Sequence, residues 1–185
     1  MDLIKLLDRY NIFARIAPAF LFGYCTYLVF GINLVFLNNA NSFILVPLAV
    51  FVLYPISMFS TFTSKKIEDF FWKKYGNPLV RHLKKSNPTL YQELSLEKNN
   101  DEIVKLLLKT TRPDEKVFWK NVSYGFFRNA LPLSFVFAII SFFTPYFYYA
   151  CIWLAINFFS ILLATSYFAN QVIDSYLEIQ ATPTK

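Results

Sequence analysis

The 185-residue chain is 56% hydrophobic and 20% aromatic, with only 16% charged residues, a net charge of +6 and a mean hydropathy of +0.39. Soluble domains carry about 25% charged residues, so an ordinary soluble fold is excluded. Two cysteines and one histidine leave no material for a disulfide framework or a histidine-rich metal site.

The charges are unevenly placed. Neither Ile16 to Ser64 nor Asn129 to Ile173 contains an Asp, Glu, Lys or Arg. A membrane-crossing helix takes roughly 20 apolar residues, and each run is long enough for two, so each reads as a hairpin. In the first, the polar cluster "NNANS" (Asn38 to Ser42) has the composition of a turn, which predicts spans near 16–37 and 43–63. This run is longer than the 7–15 apolar residues of a signal peptide and has no cleavage-site pattern. The amino terminus is therefore expected to remain on the mature chain.

The segment from 64 to 128 holds 14 Lys and Arg against 8 Asp and Glu. "KKIEDFFWKKY" places Ile67, Phe70, Phe71, Lys74 and Tyr75 at helical spacing, and "GNP" at 76–78 breaks that helix. "SNP" at 86–88 pairs a capping residue with proline, a helix-start signal. "NNDEIVKLLLKTT" has acidic residues behind Asn100 and basic ones at its end, as the helix dipole favours. "RPDEKVFWKN" restarts at Pro113 and runs towards the third span. About 60 residues is marginal for an independent core, so this segment is expected to lean on a bundle, the membrane or another subunit.

In the second apolar run "TPY" (Thr144 to Tyr146) divides spans near 128–143 and 147–170. The third is short unless Tyr124 to Phe127 belong to it. Tyr124 and Arg128 then form an interfacial anchor, the arginine stem lying along lipid while its head reaches phosphate. The alternative is a hinge or interface at Tyr124, Gly125, Arg128 and Asn129. A loose echo links "YNIFARIAP" (Tyr10 to Pro18) with "YGFFRNALP" (Tyr124 to Pro132), each at the start of an apolar run.

Cationic loops stay in the cytoplasm, so both termini and the middle segment are expected there, with two uncharged hairpin tips outside. The expected fold is all-α: an integral membrane protein with four transmembrane helices in two hairpins and a helical cytoplasmic insertion. The divisions are 1–64, 65–123, 124–171 and 172–185. Lys65, Lys66, Lys73, Lys74, Arg81, Lys84 and Lys85 form the densest basic cluster. Attraction to anionic headgroups explains it together with topology; nucleic acid or a protein partner is the other use.

Catalytic chemistry is missing. The single His82 adjoins Arg81, no glycine loop or nucleophile elbow occurs, and the acidic pairs are neighbours whose side chains diverge. Cys25 and Cys151 read as small apolar residues. No enzyme and no cofactor is expected. What remains is polarity inside the apolar runs. Ala150, Asn157, Ser160, Ala164 and Gln171 share one helical stripe, and Ser57, Ser60, Thr61 and Ser64 another. Helix association accounts for such residues, and pore lining is the other reason for them.

The motifs "FWKKYGNPLVRHL" and "TTRPDEKVFWKNVSYGFFRN" are similar to those of a group of small bacterial four-span membrane proteins. The matching residues are Trp72, Tyr75, Gly76, Pro78, Thr111, Arg112, Asn121, Tyr124, Gly125, Phe126, Arg128 and Asn129. Pro113 stands where that group has an acid, and Asn77 where a second glycine is common. In size and layout the chain also resembles membrane proteins of prokaryotic antiviral systems, namely the accessory proteins of type VI-B CRISPR effectors and the membrane subunit of Kiwa-type defence. The resemblance implies a homo-oligomeric inner-membrane effector that perturbs or permeabilises the bilayer on an intracellular signal. The alternative is a non-conducting scaffold that recruits a soluble defence protein through its basic helices.

Overall fold

The computed structural model describes residues 9–30 and 42–181, and side chains outside 28–30 and 42–51. Over these residues the chain is helical and contains no strand. A π-helical turn, Asn11–Ile16, leads directly into α1 (Ala17–Phe30). Then follow α2 (Ser42–Tyr75), α3 (Pro78–Ser86), α4 (Pro88–Glu97), α5 (Asn100–Thr111), α6 (Glu115–Ile140) and α7 (Phe147–Ala181). Most of the expected "NNANS" turn lies outside the described residues.

Local chemistry sets the helix ends. Gly76, at φ +78°, closes α2 by giving its N–H to the Trp72 carbonyl at 2.8 Å, a left-handed stop that glycine takes without a Cβ clash. Asn77 then caps α3, its side-chain oxygen accepting from the Leu79 N–H at 2.9 Å, and Pro78 takes the first helical position. Asn87 and Pro88 repeat the device at α4. Two starts differ from the sequence reading by a residue or two. Asn99, not Asn100, caps α5, because a reciprocal capping box with Glu102 satisfies both ends at once. The next helix begins at Glu115, not Pro113, because the Asp114 carboxylate accepts from the Lys116 N–H at 2.7 Å.

α6 and α7 are long and apolar enough to cross a membrane by length and composition. Only 17% of the apolar window of α7 is buried, against 50% for α6, so α7 leaves Ile152, Ile156 and Phe159 facing outward. The turn between α6 and α7 contains Thr144 to Tyr146 as expected.

The chain divides into two compact units. The first comprises 1–66 and 125–161; the second comprises 67–124 and 162–185. Charge marks where a chain can leave an apolar medium, whereas unit membership follows the buried side chains. In the second unit Leu79, Leu83, Ile103, Leu107 and Val117 share a core with Ala169, Val172, Ile173 and Tyr176 of α7. The residues assigned to a 172–185 tail are thus helical to Ala181 and partly core. Burying each large aliphatic side chain contributes about 1.5–3 kcal/mol, and the last turns of α7 supply what the short helices lack. In the first unit Phe137, Ala138 and Ala150 pack with Phe22, Cys25, Trp153 and Leu154.

Candidate functional site

Asn129 is fully buried and ties three segments of the first unit together. Its side-chain N–H donates to the Ala14 carbonyl at 2.6 Å, and its side-chain oxygen accepts from the Ser64 hydroxyl at 2.8 Å. Its backbone carbonyl accepts from the Ser60 hydroxyl. A buried amide in an apolar helix costs several kcal/mol if unpaired, and here both ends of the amide are used.

Gly125 lies one turn before Asn129 on α6. A Cβ built there would stand 2.6 Å from the Tyr10 hydroxyl and 2.9 Å from the Ala14 Cβ, so glycine is required by close approach and not by backbone angle. The two echoed sequences therefore meet: Tyr10 and Ala14 pack on Gly125, and Ala14 bonds Asn129. The π-helical turn spans the first copy. With its wider turn, residues five apart lie on one face, which sets the Arg15 guanidinium over the Tyr10 ring at 5.9 Å. Composition gave no sign of this turn. The spacing did, since Tyr and Arg are five apart in the first copy and four in the second.

The serine stripe on α2 is turned inward. Ser57, Ser60 and Ser64 are buried and Thr61 is half-buried. On α7 Ala150, Asn157 and Ala164 are buried, while Ser160 and Gln171 are half-buried. Asn157 donates to the Trp153 carbonyl at 3.1 Å. The buried hydroxyls of Thr61 and Ser141 have no hydrogen-bond partner among the described residues. Arg128 is half-buried.

Tyr124 belongs to the second unit, where its ring stacks on Phe168 with an interplanar angle of 6°. Trp72, Pro78, Leu79, Tyr124 and Phe168 line a small, almost wholly apolar cavity of about 50 Å³. A cavity of that size holds one or two waters at most and is apolar, so it offers no polar ligand a grip.

All seven basic residues of the cluster, Lys65, Lys66, Lys73, Lys74, Arg81, Lys84 and Lys85, are exposed. Three of them lie over aromatic rings: Lys66 over Phe62, Lys74 over Tyr75 and Lys84 over Tyr91 at 4.6 Å. Asp114 has a carboxyl held below its usual value. Partial burial pushes it up, but hydrogen bonds from Ser175 and from the Lys116 and Val117 N–H groups, with the Lys116 charge, outweigh that. No group of three His, Cys, Asp or Glu suited to a metal occurs among the described residues. Comparison with known protein families, characterised proteins and solved structures yields no match.

Proposed function

We propose that the chain is a multi-pass protein of a bacterial inner membrane, with four spans, both termini and residues 65–123 in the cytoplasm. Its role in this reading is that of a non-conducting scaffold, holding a soluble partner at the membrane through its basic cytoplasmic helices. The resemblance noted above supplies the setting, prokaryotic antiviral defence.

The observation that supports the scaffold over a permeabilising effector is the bonding of Asn129. A pore needs polar side chains free to face water. Here the buried Asn129 spends both ends of its amide on Ala14 and Ser64 of the same chain, and the α2 serines turn inward with it. The outward side chains of α7, such as Ile156 and Phe159, suit lipid.

Liposomes carrying the purified protein and loaded with an ion-sensitive dye test the reading. Dye is expected to escape at the rate of protein-free vesicles. Release that rises with protein content overturns the non-conducting assignment and favours the effector.

A further inference from the structure

The last turns of α2, from Ile67 to Tyr75, are apolar on two sides. On one side Trp72 is half-buried against the core of the second unit. On the other, Ile67, Phe70, Phe71 and Tyr75 are 37%, 64%, 49% and 51% exposed. The rings form a continuous patch: Phe70 meets Phe71 edge-on at 5.8 Å, and Phe71 stacks on Tyr75 at 6.0 Å. Exposed Lys74 sits within this face, over Tyr75, and Lys73 borders it. Three aromatic rings left open to water are costly, and the patch is of the kind that marks an interaction surface.

We infer that this face is a membrane-surface anchor which docks on the anionic headgroups of the leaflet that α2 leaves. The inference rests on the proposed spanning topology and adds to it a lipid contact outside the spans. Three observations carry it. The face begins three residues after Ser64, the end of the charge-free run. At about 1.5 Å per helical residue Phe71 lies on the order of 10 Å beyond Ser64, just outside a headgroup layer of about 5–8 Å. Helical side chains slant back towards the amino end, which on α2 is the membrane side, so the rings and the lysine stems reach into that layer.

Charge is also sorted along the segment. Residues 65–86 carry seven Lys or Arg against Glu68 and Asp69, whereas α4 and the first turn of α5 carry Glu93, Glu97, Asp101 and Glu102. The positive part is the one beside the span, where an anionic leaflet attracts each nearby cation by about 1 kcal/mol at most. Finally, a second copy makes a poor cover. Chains crossing one membrane present α2 in the same direction, and a two-fold partner would set Lys74 against Lys74.

The test uses the full chain with Cys25→Ser and Cys151→Ser, carrying Phe71→Cys labelled with an environment-sensitive fluorophore. It is reconstituted in phosphatidylcholine alone or mixed with phosphatidylglycerol. In the anionic vesicles the label is expected to leave water and to be quenched by lipids brominated near the headgroup. Lys73→Glu with Lys74→Glu should remove most of that quenching. A label that reports water in both compositions overturns the anchor. So does a dry label that brominated lipid does not quench and whose signal grows with protein density, since a second copy would then be the cover. A label at Phe159→Cys on α7 separates the premises: if it too escapes deep-lipid quenching, the spanning reading falls together with the anchor, whereas loss at Phe71 alone removes only the anchor.

Discussion

Ser64 gives its hydroxyl hydrogen to the side-chain oxygen of Asn129 at 2.8 Å, joining residues 65 positions apart in the chain. The same serine oxygen lies 3.0 Å from the Thr61 carbonyl of its own helix, so Ser64 has a local alternative, whereas the Asn129 side chain bonds to residues distant in the chain. The dependence between them is unequal.

Asn129→Ala should therefore cost about 1–3 kcal/mol, chiefly by leaving the buried Ala14 carbonyl without its donor. Ser64→Ala should cost less. A double-mutant cycle between them, read by reversible unfolding in mixed micelles, should give a coupling of about 0.6 kcal/mol, the average for hydrogen bonds between membrane helices. Strict additivity would mean that the bond contributes nothing.

Gly125→Ala gains about 1 kcal/mol of helix propensity and still should destabilise the protein, because the added methyl meets the Tyr10 hydroxyl and the Ala14 Cβ. Tyr10→Phe in the same chain removes the 2.6 Å contact but not the 2.9 Å one, so rescue should be partial. A higher midpoint for Gly125→Ala alone would show that Tyr10 and Ala14 do not press on this helix.

Asp114 caps α6 and carries a lowered carboxyl pKa. A carboxylate whose folded pKa lies below its unfolded value of about 3.9 contributes stability above that value and loses it as pH falls through the folded one. Asp114→Ala should cost about 1 kcal/mol at neutral pH, and the gap to wild type should close as the pH drops below about 4. Thermal unfolding of both proteins across that range checks the sign. A gap that widens on acidification would contradict it.

The proposed topology makes its own demand. In the background lacking both native cysteines, Tyr146→Cys should react with a membrane-impermeant maleimide in intact cells, and Ser95→Cys should react only after permeabilisation. Labelling of Ser95→Cys in intact cells would reverse the cytoplasmic assignment.

Helix ends were readable because their signals are local. "GNP", "SNP" and "NND" each carry a capping amide or a helix-breaking residue, and the described α2, α3, α4 and α5 begin or end within a residue of them. Core membership was not readable in the same way. Ala169, Val172, Ile173 and Tyr176 lie at the end of the apolar run, among Asn170, Gln171, Asp174 and Ser175, so composition marks them as a polar tail although their i, i+3, i+4, i+7 spacing is that of one buried helix face. The serine stripe and Asn129 could each be seen as polar intruders in apolar runs. That they bond to each other depends on which helices are neighbours, which spacing along one chain does not encode. The echo between Tyr10–Pro18 and Tyr124–Pro132 was the one long-range hint, and Gly125 against Tyr10 and Ala14 is where those sequences touch.

The reach of the Asn129 bonds also bears on how the protein is made. Its partners Ala14, Ser60 and Ser64 lie 115, 69 and 65 residues earlier in the chain, so a ribosome will have produced all of them well before the amide exists. Until then the Ala14 carbonyl and the Ser64 hydroxyl have no asparagine to bond, and the segments that carry them cannot reach their final arrangement. A nascent chain stopped short of residue 129 should remain a target for membrane proteases, and one extended through α6 should escape them. Maturation would then be timed by the arrival of a single side chain.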